Sequence, residues 1–176
     1  MTNMTGAEAL LTQIRANGVD TIFGLPGGQL DYFFDAMFHA GDELRVFCTR
    51  HEQGAAYMAF GYARSTGKPG VYTVVPGPGV LNSTAALCSA YATNAPVLCL
   101  TGQIPTAGLG KGIGYLHELP DQLATMRTLT KWADRAMTPE AAPELVNEAF
   151  RQMLGGRQRP VSLEMPMDIM AERRDV

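Results

Sequence analysis

Within five consecutive residues, Arg50-His51-Glu52-Gln53-Gly54, a histidine and a glutamate able to share or move a proton stand side by side. They follow an apolar stretch ending at Cys48 and open an alanine-rich stretch with helical spacing. Glu52 is therefore expected in the first turn of a helix. A carboxylate there has an ordinary structural use, because negative charge is favourable at a helix N-terminus. A second use follows from its company. No charged residue lies between Gly54 and Ala63, so the carboxyl is expected to be partly withdrawn from water, where it can share a proton with a ligand. His51 either orients Glu52 or sits half-buried at the surface.

Two turns and a glutamine complete the set. Gly24-Leu25-Pro26-Gly27-Gly28 and Pro76-Gly77-Pro78-Gly79 each follow a short apolar run, Asn82 lies one helical turn beyond Gly79, and Gln103 follows a third apolar run. Each has a plain structural reading: a tight turn needing positive φ, a helix start whose free N–H groups meet water, and a strand-end cap. Taken together, they mark a place where backbone and polar side chains come close to a ligand.

The elements needed to position these residues are legible. Thr5-Gly6-Ala7-Glu8 has the capping-box pattern, and Leu10, Leu11 and Ile14 follow at helical spacing until Gly18. Near-continuous apolar runs at 21–23, 45–48, 71–75, 97–101 and 161–164 read as buried strands. Between them lie a helix carrying Leu30, Phe33, Phe34 and Met37, a helix from His51 to about Ser65 closed by Gly67, and a small-residue helix running to about Thr93. A last helix starts at Thr138-Pro139 and carries Leu145, Val146, Ala149, Phe150 and Met153. Gly102 to Gly114 is expected as a glycine-rich loop. Strands alternating with helices in this way predict a doubly wound α/β domain, with a mainly parallel sheet and helices on both faces. Such sheets bind ligands at the carboxyl ends of their strands, which is where the turns at 24–28, 49–53 and 76–79 fall.

Composition narrows the function classes. The chain has 176 residues, enough for one domain with a core, and a formal net charge of −3. That charge gives nucleic acid or an anionic membrane no electrostatic purchase. No apolar run approaches the roughly 18 residues of a membrane span, and the N-terminus lacks a secretory pattern. Cys48, Cys88 and Cys99 show no metal-ligand spacing and are expected as small buried hydrophobes in a reducing, cytoplasmic compartment.

The stretch RHEQGAAYMAFGYARSTGKPG, with GLPGG before it and PGPGVLN and LTGQIP after it, resembles the N-terminal aminopyrimidine-binding (PYR) domain of thiamine diphosphate (ThDP) enzymes of the acetolactate synthase type. The resemblance runs from Thr5 to about Asp168, with all four motifs in the family's order. It implies a PYR domain over 1–168 and the start of an interdomain linker over 169–176. It implies that Glu52 bonds N1′ of the aminopyrimidine, favouring the imino form that takes the thiazolium proton. The carbanion so formed attacks a pyruvate-like 2-oxo acid, carbon dioxide leaves, and the two-carbon unit is transferred or released. It further implies cofactor contacts at Pro26, Gly27, Gly28, Pro78, Gly79 and Asn82, and a catalytic role for Gln103 near bound intermediates. By the same resemblance, ThDP sites form between a PYR domain and the diphosphate domain of a neighbouring subunit, in a homodimer or homotetramer. Several relatives carry FAD, which would sit mostly outside this region.

The sequence departs from that pattern in several places. Val75-Pro76 precedes the turn where the family has serine, Thr106 and Ala107 replace two arginines, and Leu116-His117-Glu118 stand near a Phe-Gln-Glu triplet. His117 is either a substrate contact or a solvated loop residue. The family's Gly-Asp-Gly motif, which holds diphosphate through Mg²⁺, has no counterpart; Gly41-Asp42-Glu43 reads as a helix-end turn. The chain is therefore expected to supply only the aminopyrimidine half of the site, with no metal ligands, and to be inactive alone. Two other readings remain: a complete PYR subunit of a two-chain decarboxylase of the sulfopyruvate or phosphonopyruvate type, and a non-catalytic nucleotide-binding module. The second wants Gly-x-Gly-x-x-Gly in the first turn, and Gly24-Leu25-Pro26-Gly27-Gly28 has a different spacing.

Overall fold

The computed structural model describes all 176 residues. In chain order the elements are β1 (Asn3–Thr5), α1 (Gly6–Ala16), β2 (Thr21–Gly24), α2 (Asp31–His39), β3 (Arg45–Cys48), α3 (Glu52–Thr66), β4 (Gly70–Val74), α4 (Pro78–Ala92), β5 (Val97–Gln103), α5 (Gln122–Leu129), β6 (Trp132–Arg135), α6 (Ala142–Leu154), β7 (Val161–Pro166), α7 (Met167–Ala171) and β8 (Arg173–Asp175). Six strands form one sheet in the order β3-β2-β4-β5-β7-β6, every pairing parallel. This is the doubly wound architecture that the apolar strands predict.

Alternation along the strands sends side chains into two cores. Val71, Leu98, Leu100, Val161 and Leu163 pack with α1, α2 and α6 on one face. Tyr72, Val74, Val97 and Cys99 pack with α3, α4 and α5 on the other. The chain leaves β2 to one side to make β3, then returns to the other side to make β4. That reversal is the switch point at which a parallel sheet opens a crevice beyond its strand ends.

The local signals are realised in detail. Thr5 and Glu8 form the reciprocal capping box of α1, and Gly67 ends α3 in the left-handed conformation. Tyr72 Oη lies 3.0 Å from Ser83 Oγ in the core, pinning α4 to β4. Other features differ from expectation. Cys99 is buried, but Cys48 and Cys88 are exposed: β3 is an edge strand, and α4 turns the Cys88 face outward. α5 and β6 were not expected; Trp-Ala-Asp-Arg is a short, half-buried edge strand with two charged residues. The residues expected to begin a linker hold the end of α7 and strand β8, which pairs antiparallel with β1 from Asn3↔Asp175 to Thr5↔Arg173. Polar side chains do not prevent such a pairing, because it is made by backbone groups.

Candidate functional site

The three turns picked out by their residues meet beyond the ends of β2, β3 and β4. Glu52 is the first residue of α3, and its side chain is 14% exposed. Its Oε2 accepts a hydrogen bond of 3.0 Å from Asn82 Nδ2 on α4, so neighbouring helices hold the carboxylate between them. His51 Nδ1 lies 3.9 Å from the same oxygen, yet it accepts the Gln53 N–H at 3.1 Å. The nitrogen nearest Glu52 therefore bears a lone pair and caps α3; it donates no proton to Glu52.

Val75 is the wedge that sets the spacing. A Cβ at Gly79 would stand 2.6 Å from Val75 Cγ2 and 3.6 Å from Glu52 Oε1, and a Cβ at Gly27 would collide with Val75 Cγ1. Only glycine at 79 allows this close approach to Val75. Pro26, Gly28, Pro78 and Asn82 are exposed around this point, while Gly27 is partly covered and Gly79 buried. A Cβ at Gly28 would meet nothing within 4 Å. The result is a small recess with backbone and glycine on its walls and one carboxylate inside. The only cationic side chain in the three turns is the exposed Arg50.

A loop closes the recess from the β5 side. His117 adopts φ of 68°, and Gly77 sits so tightly beneath it that a Cβ there would strike the His117 carbonyl oxygen. Gln29, directly after the Gly27-Gly28 turn, donates through Nε2 to Leu116 O at 3.0 Å. Its Oε1 is thereby left to accept from His117 Nδ1 at 2.7 Å. Nδ1 of His117 is therefore a donor in this contact. His117 is thus tied to two of the turns, though no short sequence motif links these residues.

Gln103 is placed differently from Glu52. It is 3% exposed, its Oε1 accepts the Ile104 N–H at 2.8 Å, and its Nε2 reaches Glu164 Oε1 at 3.5 Å. Its side chain is engaged in the protein interior, not in the recess. Sequence reasoning missed the group it joins. Glu164 is 1% exposed and accepts from Arg135 Nε and, at 2.7 Å, from Gln122 Nε2. The only advance signal was a charged residue closing an otherwise apolar strand. No group of three or more His, Cys, Asp or Glu side chains is arranged to hold a metal ion, and no helix is long and apolar enough to cross a membrane.

Known proteins resemble this chain over most of its length. The family described as "Thiamine pyrophosphate enzyme, N-terminal TPP binding domain" matches residues 4–125. A probable 2-ketoarginine decarboxylase of Pseudomonas aeruginosa is 42% identical over 168 residues, covering 96% of this chain and 30% of the relative. The mitochondrial acetolactate synthase catalytic subunit of Saccharomyces cerevisiae is 37% identical over 96% of this chain and 24% of its own length. The acetolactate synthase isozyme 2 large subunit of Escherichia coli is 37% identical over 98% of this chain and 31% of its own. The chain thus spans less than a third of the length of these relatives. With the family match covering more than half of the chain, the chain belongs to the thiamine pyrophosphate enzymes, as an N-terminal TPP-binding domain.

Proposed function

We propose that this domain supplies the aminopyrimidine half of the site in an enzyme that decarboxylates a 2-oxo acid and then transfers or releases the remaining fragment. The observation that carries the reading is the part-exposed Glu52 carboxylate, held by Asn82 at a helix start beside the close approach of Gly79 to Val75. Glu52 would share a proton with N1′ of the aminopyrimidine, and Asn82 would hold the carboxyl in register while it does so. Pro26, Gly27, Gly28, Pro78 and Gly79 would bring backbone against the ring. His117, with Nδ1 tied to Gln29, would offer Nε2 to the substrate, and His51 would act through the α3 start that it caps. Gln103 would act indirectly, by shaping the chain beneath the loop. Bound thiamine diphosphate supplies the electron sink for decarboxylation; everything else in the scheme is positioning and proton placement.

The second half of the scheme lies outside this chain. The three turns offer no cation beyond the exposed Arg50, and a diphosphate needs a metal or a rich set of donors; Mg²⁺ and the diphosphate would be held by another domain, contributed by a neighbouring subunit of a dimer or tetramer. α3 and α4 suit such a contact. α4 carries no charged residue, and Tyr57, Met58 and Leu81 are exposed on this pair of helices. FAD, if the complete protein carries it, would bind beyond these residues. The three free cysteines support a cytoplasmic location. Among substrates, 2-ketoarginine has the first claim to be tried, because the relative at 42% identity is named a probable 2-ketoarginine decarboxylase; acetolactate formation is the next activity to assay, because the relative at 37% is named an acetolactate synthase.

The test is calorimetric titration of thiamine diphosphate with Mg²⁺ into the 176-residue chain and its Glu52→Gln variant. Absent or weak heat in both supports the half-site reading. Tight binding that Glu52→Gln abolishes would show that the chain holds the whole cofactor, overturning the division of labour proposed here.

A further inference from the structure

The buried Gln122 amide is wired so that it can bond in one orientation only. Gln122 is 1% exposed. Its Oε1 accepts the Gly77 N–H at 2.8 Å, and its Nε2 donates to Glu164 Oε2 at 2.7 Å and to Gly102 O at 3.2 Å. Turning the amide over would set two N–H groups against the Gly77 N–H and its carbonyl oxygen against the Glu164 carboxylate. Both contacts would be repulsive in a site closed to water. Glu164 is itself fixed by Arg135 and by the strand it lies on.

The wiring ends at the turn that shapes the recess. Gly77 is the residue before α4, with φ 60° and ψ −116°, and no side chain caps that helix. Its N–H would be an orphan without Gln122. Two residues on, Gly79 sets the approach to Val75 and Glu52, and a helical turn later Asn82 holds the Glu52 carboxylate. We infer that Gln122 is a positioning residue, whose amide, fixed by Glu164, holds the Gly77 turn so that α4 presents Gly79 and Asn82 to Glu52 at the spacing the recess requires. The inference rests on the reading of that recess as the aminopyrimidine site, but its test does not.

The experiment is ¹⁵N NMR and amide hydrogen exchange on the 176-residue chain without cofactor, comparing the native chain with Gln122→Met. In the native chain the Gly77 amide should be protected at least tenfold beyond the amides of the exposed loop residues Gly156 and Arg157, which make no backbone hydrogen bond. In Gln122→Met that protection should fall at least tenfold and the Asn82 side-chain amide signals should shift, while the α1 amides of Leu10 and Ile14 keep their positions. A merely structural loss would move both groups together. An unprotected Gly77 amide in the native chain overturns the inference even where the variant fails to fold. So does a variant in which Asn82 stays put, or in which α1 shifts as much as Asn82. Because no cofactor is present, failure here leaves the cofactor reading standing, and failure of the cofactor titration leaves this result standing.

Discussion

Glu52 and Glu164 close neighbouring regions of one sheet, yet the protein treats them in opposite ways. Glu164 is 1% exposed and surrounded by donors: Arg135, Gln122 and, more distantly, Gln103. Glu52 is 14% exposed and has one firm donor, Asn82. A buried carboxylate with a cation and further donors is spent as structure, since removing a partner strands an uncompensated charge. A carboxylate at a helix start with one donor and an open side keeps bonding capacity for something else. The difference separates the glutamate that holds the turns from the glutamate the turns present.

Breaking the first member should produce the largest effect. Glu164→Ala leaves Arg135, Gln122 and Gln103 without their acceptor and should cost about 3–5 kcal/mol. In a chain of this size that lowers the melting temperature by roughly 10 °C, measurable by thermal and urea unfolding. Disturbing the wall of the recess comes next. Gly79→Ala forces a methyl group against Val75 and should cost about 1–3 kcal/mol. Adding Val75→Ala should recover part of it, with at least about 0.5 kcal/mol of coupling in the double-mutant cycle. The second glutamate should matter little to stability: Glu52→Gln, isosteric and still able to accept from Asn82, should stay within about 1 kcal/mol of the native chain by urea unfolding.

The smallest effect sharpens the comparison from the opposite end of the sheet. Asp20, just before β2, has its carboxyl lowered to about 2, first by the Thr21 hydroxyl and then by Arg45 and Lys68. A carboxyl lowered in the folded state stabilises above its unfolded value and loses that contribution as pH falls through its folded value. Asp20 therefore supports the fold above pH 3.8 and loses that support toward about 2. At 44% side-chain exposure its contribution is screened to below about 1 kcal/mol. Asp20→Asn should lower the neutral plateau of a stability-against-pH curve by less than about 1 kcal/mol and flatten its acid limb, so that the two curves converge toward pH 2.

What could be read in advance followed from local physics. Continuous apolar runs announced β2, β4, β5 and β7 because strands buried on both faces are built mostly of apolar residues. Glycine and proline after those runs announced the turns at 24–28 and 76–79. Trp132–Arg135 escaped because an edge strand keeps its charges, and α5 because eight residues with weak apolar spacing resemble a loop. The Gln122–Glu164–Arg135 group escaped for a deeper reason. Its members bond across 42 and 29 positions of chain, and a polar residue destined for burial carries no local mark of its partner. His117 was visible as a residue, but its tie to Gln29 was not. The exposure of Cys48 and Cys88 depended on which strand lies at the edge and which helix face turns outward, and both are properties of the assembled sheet.

The three-residue pairing of β1 with β8 has a mechanical consequence. Thr2 and Val176 exchange both backbone hydrogen bonds, at 2.8 and 3.1 Å, so the two ends leave the domain side by side. Tension applied between them peels this ribbon apart one pair at a time, like a zip, before any force reaches α1 or β7. The six-stranded sheet and the recess above it are thus insulated from a pull on the ends by a short latch that opens first.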